Sequence, residues 1–153
     1  MPANKSPRKK RTRKILKNFH GARPIMRIFS QTHGVSFSNR IMAQNEVLFI
    51  VNHLENHQSD KEIVDRAGYA GALWEALCRN GYGELDEPLA LDFEAARQAA
   101  LRRGEQLGRY GMNPKEIDAV KAVLFLLIES IKITPEPVFK KIDDEVRDFL
   151  LIK

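Results

Sequence analysis

His53 and His57 stand four residues apart in a stretch with helical spacing, the separation that can turn two imidazoles toward one metal ion. The residues between them are Leu54, Glu55 and Asn56, which is not the histidine–glutamate order of zinc proteases. Cys78, His20 or His33 would have to complete such a site, so the pair is expected to be two surface imidazoles, with no metal and no cofactor. Cys78 follows Leu77 at helical spacing and is expected to be a small core side chain rather than a nucleophile. No phosphate loop, nucleophile elbow or dinucleotide fingerprint occurs, and the carboxylates are scattered or fall on solvated faces. The expectation is that the chain is not an enzyme.

The chemistry that does stand out is cationic. Residues 1–45 hold eleven Lys and Arg and no carboxylate, the first being Glu46. The other 108 residues carry 14 cations against 20 acids, a net of −6 inside a chain whose total is +5. Eight of the cations fall between Met1 and Lys17. Such a run releases condensed counterions from nucleic-acid phosphates, giving affinity without sequence reading. The candidate nucleic-acid-binding residues are Arg8, Lys9, Lys10, Arg11, Arg13, Lys14, Lys17, Arg23, Arg27, Arg40 and Arg79. Arg8, Arg11 and Arg13 also suit entry into a minor groove. Self-repulsion, two prolines and few apolar groups predict a flexible arm. A solubilising tail, or an arm for an anionic protein surface, is the competing explanation.

The remaining composition is that of an ordinary soluble domain, 43% hydrophobic and 29% charged. One cysteine permits no internal disulfide, which suits a reducing cytoplasm. No apolar stretch follows the basic N-terminus, so a secretory signal is not expected. The expected partners are nucleic acid, DNA before RNA, and a protein on the acidic body, with no membrane.

The strongest element is Asn113 to Ile133, N-P-K-E-I-D-A-V-K-A-V-L-F-L-L-I-E-S-I-K-I. Asn113 caps it, Pro114 suits the first helical position, and Glu116 closes a capping box. Ile117, Val120, Leu124, Leu127, Ile128 and Ile131 form one stripe; Ala119, Ala122, Val123 and Leu126 form a second. A helix apolar nearly all round is buried on several sides or lies at an interface. This is the helix around which the fold is expected to be organised. Its excess apolar surface, with Leu150, Leu151 and Ile152, predicts a two-fold homodimer. The alternative is that Ile25, Met26, Ile28 and Phe29 fold back over it; Phe19 to Phe37 is expected to pack on the body.

Upstream, Ser38 or Asn39 caps a helix to Asn56 with a stripe of Ile41, Leu48, Val51 and Leu54, and with Val47 and Ile50 beside it. Ser59 and Glu62 offer another capping box. Past Asn80-Gly81-Tyr82-Gly83, Glu84 to Leu91 with Pro88 is predicted as a loop, and Asp92 as the cap of a helix to Tyr110. That helix has a narrow stripe of Phe93, Ala96, Ala99 or Ala100, and Leu107, and close packing at Gly104 and Gly108. Arg97, Arg102, Arg103 and Arg109 are expected to form a solvated face, with a secondary phosphate-contact face as the alternative. The last helix follows Thr134-Pro135-Glu136-Pro137, burying Phe139, Ile142, Val146 and Phe149 and turning Asp143, Asp144 and Glu145 to water.

Ser59 to Arg79, S-D-K-E-I-V-D-R-A-G-Y-A-G-A-L-W-E-A-L-C-R, resembles a helix-turn-helix. The resemblance implies that Ile63 and Ala67 face a partner helix, that Gly68 makes the turn with Tyr69 plugging it, and that Leu73, Trp74 and Leu77 anchor the second helix. It also puts Ala70, Gly71, Ala72, Glu75 and Ala76 outward, where none offers the bidentate hydrogen bonding that reads bases.

These elements predict an all-α domain of five or six helices with a helix-turn-helix-like three-helix unit and a basic N-terminal arm. Residues 1–18 are the arm and 19–153 a single helical domain. Within it, 38–83 is the three-helix unit and 92–150 the C-terminal helices. The expected function is a small DNA-binding regulator or accessory factor. A helical protein-interaction module, such as an adaptor or inhibitor of a larger complex, is the alternative.

Overall fold

In the computed structural model, which describes residues 38–152, five α-helices follow one another with no strand among the described residues. They are α1 (Asn39–Glu55), α2 (Lys61–Arg79), α3 (Glu87–Leu107), α4 (Pro114–Ile133) and α5 (Glu136–Ile152). The expected all-α class holds. The basic arm, the Phe19 to Phe37 segment, His20 and His33 lie outside the described residues.

Local chemistry sets most of the helix starts. Ser38 caps α1 by accepting from the Ile41 N–H, as expected. Asn113 and Glu116 form the full reciprocal box on α4, with Pro114 in its first turn. Two starts differ from expectation. Asp60, not Ser59, caps α2 by accepting from Ile63 N. Ser59 Oγ instead donates to the Tyr110 carbonyl at 3.0 Å, tying the α1–α2 connection to the α3–α4 connection. The third helix begins at Glu87, capped by Asp86, so much of the predicted loop is its first turn. Pro88 causes no break there, because first-turn N–H groups have no partner in the helix anyway.

The organising element is α2 rather than α4. Fourteen of its nineteen residues are buried, against seven of twenty in α4. It packs against each of the other four helices, whereas α4 packs on α1, α2 and α3, and α5 on α1 and α2. Small residues make this possible. A Cβ at Gly71 would overlap the Phe93 ring of α3, so the glycine is what lets α3 approach.

The helix runs unbroken from Lys61 to Arg79, and the turn expected at Gly68 is absent. Ala70, Gly71, Ala72, Glu75 and Ala76, placed outward by the helix-turn-helix resemblance, are all buried. A mid-helix glycine costs only about 1 kcal/mol relative to alanine. Packing on four sides outweighs that local signal. Trp74 is buried, as expected, together with Leu73 and Leu77.

Other faces are corrected in phase. On α1 the inward residues are Met42, Ala43, Val47, Ile50, Val51 and Leu54, while Ile41 and Leu48 face solvent. Leu107 of α3 is exposed as well, and Gly104 packs under the ring of Tyr110, which a Cβ there would overlap. Phe139, Ile142 and Val146 of α5 are buried as expected, joined by Leu150, while Phe149 is only partly buried. Asp143, expected in water, is buried. One contiguous core joins all five helices.

Candidate functional site

Of the predicted nucleic-acid-binding residues, Arg40 and Arg79 lie in the described region. Arg8, Lys9, Lys10, Arg11, Arg13, Lys14, Lys17, Arg23 and Arg27 lie outside it. Arg40 is at the start of α1, where its Nη1 donates to the Thr134 carbonyl at 3.2 Å and its Nε lies 3.3 Å from Glu136. The Glu136 carboxylate also accepts from the backbone N–H groups of Asn39 at 2.7 Å and Arg40 at 3.3 Å. It therefore acts as an anion at the N-terminus of α1, where the helix dipole favours one. Arg79 is held between Glu75 at 3.5 Å and Glu87 at 3.1 Å, joining the end of α2 to the start of α3. Both arginines are brought into structural pairs rather than to a common cationic face.

The same holds for most of the body's cations. Arg66 spans Glu46 and Glu62 and lies over the Phe49 ring, 4.4 Å from its centroid. Arg97 is buried and pairs with Glu94 at 3.0 Å. Arg103 reaches Glu116 and, at 2.8 Å, the Gly111 carbonyl. Of the four α3-region arginines expected on a solvated face, Arg102 and Arg109 are exposed.

His53 Nδ1 lies 3.0 Å from the Phe49 carbonyl, with its ring against Phe49. His57 lies beyond the end of α1 with φ +56°, so helical spacing does not bring the two rings together. No group of three or more His, Cys, Asp and Glu is placed to hold a metal ion among the described residues. Burial pushes the Cys78 thiol up to about 12, against a hydrogen bond with Ser130 that acts the other way. A thiol so disposed stays protonated and is a poor nucleophile.

A buried polar cluster joins α2 to α5. Tyr69 Oη donates to Asp143 Oδ1, and Arg147 donates to Asp143 Oδ2 through Nη2 at 2.5 Å and Nε at 3.1 Å. Burial holds the Asp143 carboxyl above its usual range, with Arg147 pulling it down. Burial and the neighbouring Asp143 charge hold the Tyr69 phenol well above its usual value. The arrangement fixes the pose of α5 on α2.

One concave feature combines apolar walls with charge. A groove of about 600 Å³ runs between the C-terminal half of α4 and the α2–α3 connection. Trp74 contributes to its floor, Leu85, Leu126 and Ile133 to its walls, and Glu84, Asp86 and Glu129 to its rim. Ile133 is 60% exposed and Leu126 37%, unusual for large apolar side chains. The groove was not legible in the sequence. Its signal lay in the second apolar face of α4 and in the acids after Gly83, but their juxtaposition depends on how α3 returns against α2.

Comparison with family models, with curated proteins and with solved structures gives no match to this chain. None of the described helices is long and apolar enough to cross a membrane.

Proposed function

We propose that this chain is a small nucleic-acid-binding protein whose N-terminal basic segment supplies the phosphate contacts and whose helical body is the scaffold that carries it. One observation carries the proposal: residues 1–45 hold eleven cations and no acid, while the rest of the chain is net acidic. The pairing of the body's arginines supports the same division of labour. Arg40, Arg66, Arg79, Arg97, Arg103 and Arg147 each sit against a carboxylate of the body. Phosphate affinity then belongs to Arg8, Lys9, Lys10, Arg11, Arg13, Lys14 and Lys17.

The proposal does not include base reading by residues 59–79. The helix there is continuous, and the residues that would face a groove, Ala70, Gly71, Ala72, Glu75 and Ala76, are buried. Binding of this kind is sequence-tolerant, as phosphate contacts position a protein without specifying a site. An accessory factor on DNA, acting in a reducing compartment such as the cytoplasm, fits it better than a sequence-specific regulator.

A second proposal, a protein-interaction module, draws on the acid-rimmed groove and on the exposed Ile41, Leu48 and Phe125. Affinity purification with and without nuclease treatment separates the two. Co-purifying nucleic acid whose removal releases the protein partners supports the first. A protein partner retained after complete nuclease digestion, with no nucleic acid bound, supports the second.

A further inference from the structure

We propose that the groove beside α4 is the docking site for the chain's own segment Arg23–Phe29, R-P-I-M-R-I-F. The groove is apolar at its floor and walls and anionic at its rim. An occupant must therefore offer aliphatic or aromatic side chains flanked by cations. Arg23–Phe29 does so with Ile25, Met26, Ile28 and Phe29 set around Arg23 and Arg27. Burying such side chains against Leu126, Ile133 and Leu85 removes apolar surface from water on both partners. Among the described residues Glu84 has no ion-pair partner and Glu129 has only Lys132, so both carboxylates can receive the guanidinium groups. The contact of Glu129 with Lys132, at 3.6 Å on an exposed face, is worth little. Asp86 already uses one oxygen to cap α3.

The path of the chain supplies the second argument. The first residues of α1 are fastened beside the C-terminal end of α4. Asn39 N donates to Glu136 and Arg40 to the Thr134 carbonyl. Ile133, the last residue of α4, lines the groove. The start of α1 is thus held at the end of α4 to which Ile133, a residue of the groove, belongs. Residues 30–37 can span about 26 Å when extended, more than enough to cross one helix end about 10 Å wide. The other stretch that mixes apolar and cationic residues, Lys14–Lys17, belongs to the basic run. Docking of Arg23–Phe29 leaves Met1–Lys17 to phosphate, and it does not depend on whether that run binds nucleic acid.

The test uses the full chain, because Trp74 is its single tryptophan and lines the groove. Ser30→Cys places a thiol next to the segment without removing an apolar anchor. The buried, protonated Cys78 leaves that thiol as the one to modify with a nitroxide, a short-range quencher of indole emission. The expected result is quenching of Trp74 at Ser30→Cys, relative to a diamagnetic label, and none with the label at Ala3→Cys. The quenching should be independent of protein concentration and should disappear in Glu84→Lys/Glu129→Lys, shown to be folded by circular dichroism. Equal emission at the two label positions overturns the proposal. So does quenching that survives the charge reversal, or quenching that grows with concentration, which would make a second copy the donor of the segment.

Discussion

Trp74 is the largest of the fully buried side chains and also lines the groove. Trp74→Ala should cost roughly 3–5 kcal/mol, the range for deleting a large core aromatic. A thermal melt checks this, and a midpoint equal to that of the parent would contradict the packing. Asp143 gives a prediction with a definite sign. Burial raises its pKa in the folded state above 3.8, so the unfolded chain gives up that proton first as pH rises. Protons bound by the native state then exceed those bound by the unfolded state, and the stability due to this group falls as pH rises through the raised pKa. The buried Glu46 carboxyl, also raised by burial, acts in the same sense. Urea unfolding between about pH 3 and 7 should therefore show a downward component with rising pH that Asp143→Asn removes. A pH profile unchanged by that substitution would contradict it. The burial of Asp143 was not legible in the sequence. Asp143, Asp144 and Glu145 are chemically alike, and only the approach of Tyr69 and the fold-back of Arg147 select the first for the interior.

Among the elements, those parts of the fold written in local chemistry could be read directly. Asn113, Pro114 and Glu116 lie within four residues of one another and cap α4 whatever the rest of the chain does. What depends on neighbours could not be read. Gly68 carries the local signature of a helix end, yet α2 continues through it because tertiary contacts on four sides hold it helical. Its run of small residues has the composition of a bare surface and is a packing surface. The phase of α1 was hidden for a related reason: Ile41 and Leu48 are as apolar as Val47 and Ile50, and only the positions of α2, α4 and α5 decide which pair is covered. The close approach of α3 to α2 gives a test. Gly71→Ala should gain intrinsic helix propensity yet lose net stability, by about 1–3 kcal/mol, because the new methyl overpacks the Phe93 ring. Phe93→Leu in the same chain should return part of the loss. A more stable Gly71→Ala variant would mean that α2 and α3 are not in this close contact.

For the whole molecule, the charge asymmetry was legible at once, since it needs no fold, whereas the groove needs three elements brought together. The homodimer expected from the excess apolar face of α4 loses one of its supports, because Leu150 is buried within its own chain. Phe125, Leu126 and Ile133 remain uncovered by the described helices. If Arg23–Phe29 fills the groove within the chain, light scattering at micromolar concentration should give a mass near 17.5 kDa. Twice that mass would transfer the groove to an interface between copies. The proposed function itself is tested most directly by the salt dependence of binding to duplex DNA, measured for the full chain and for a chain lacking Met1 to Lys14. The deletion is expected to weaken binding to unrelated sequences by a similar factor. The slope of log K against log salt should also flatten, by about 0.9 for each phosphate that the shortened chain no longer neutralises. The same affinity and the same slope in both chains would contradict a phosphate-binding arm.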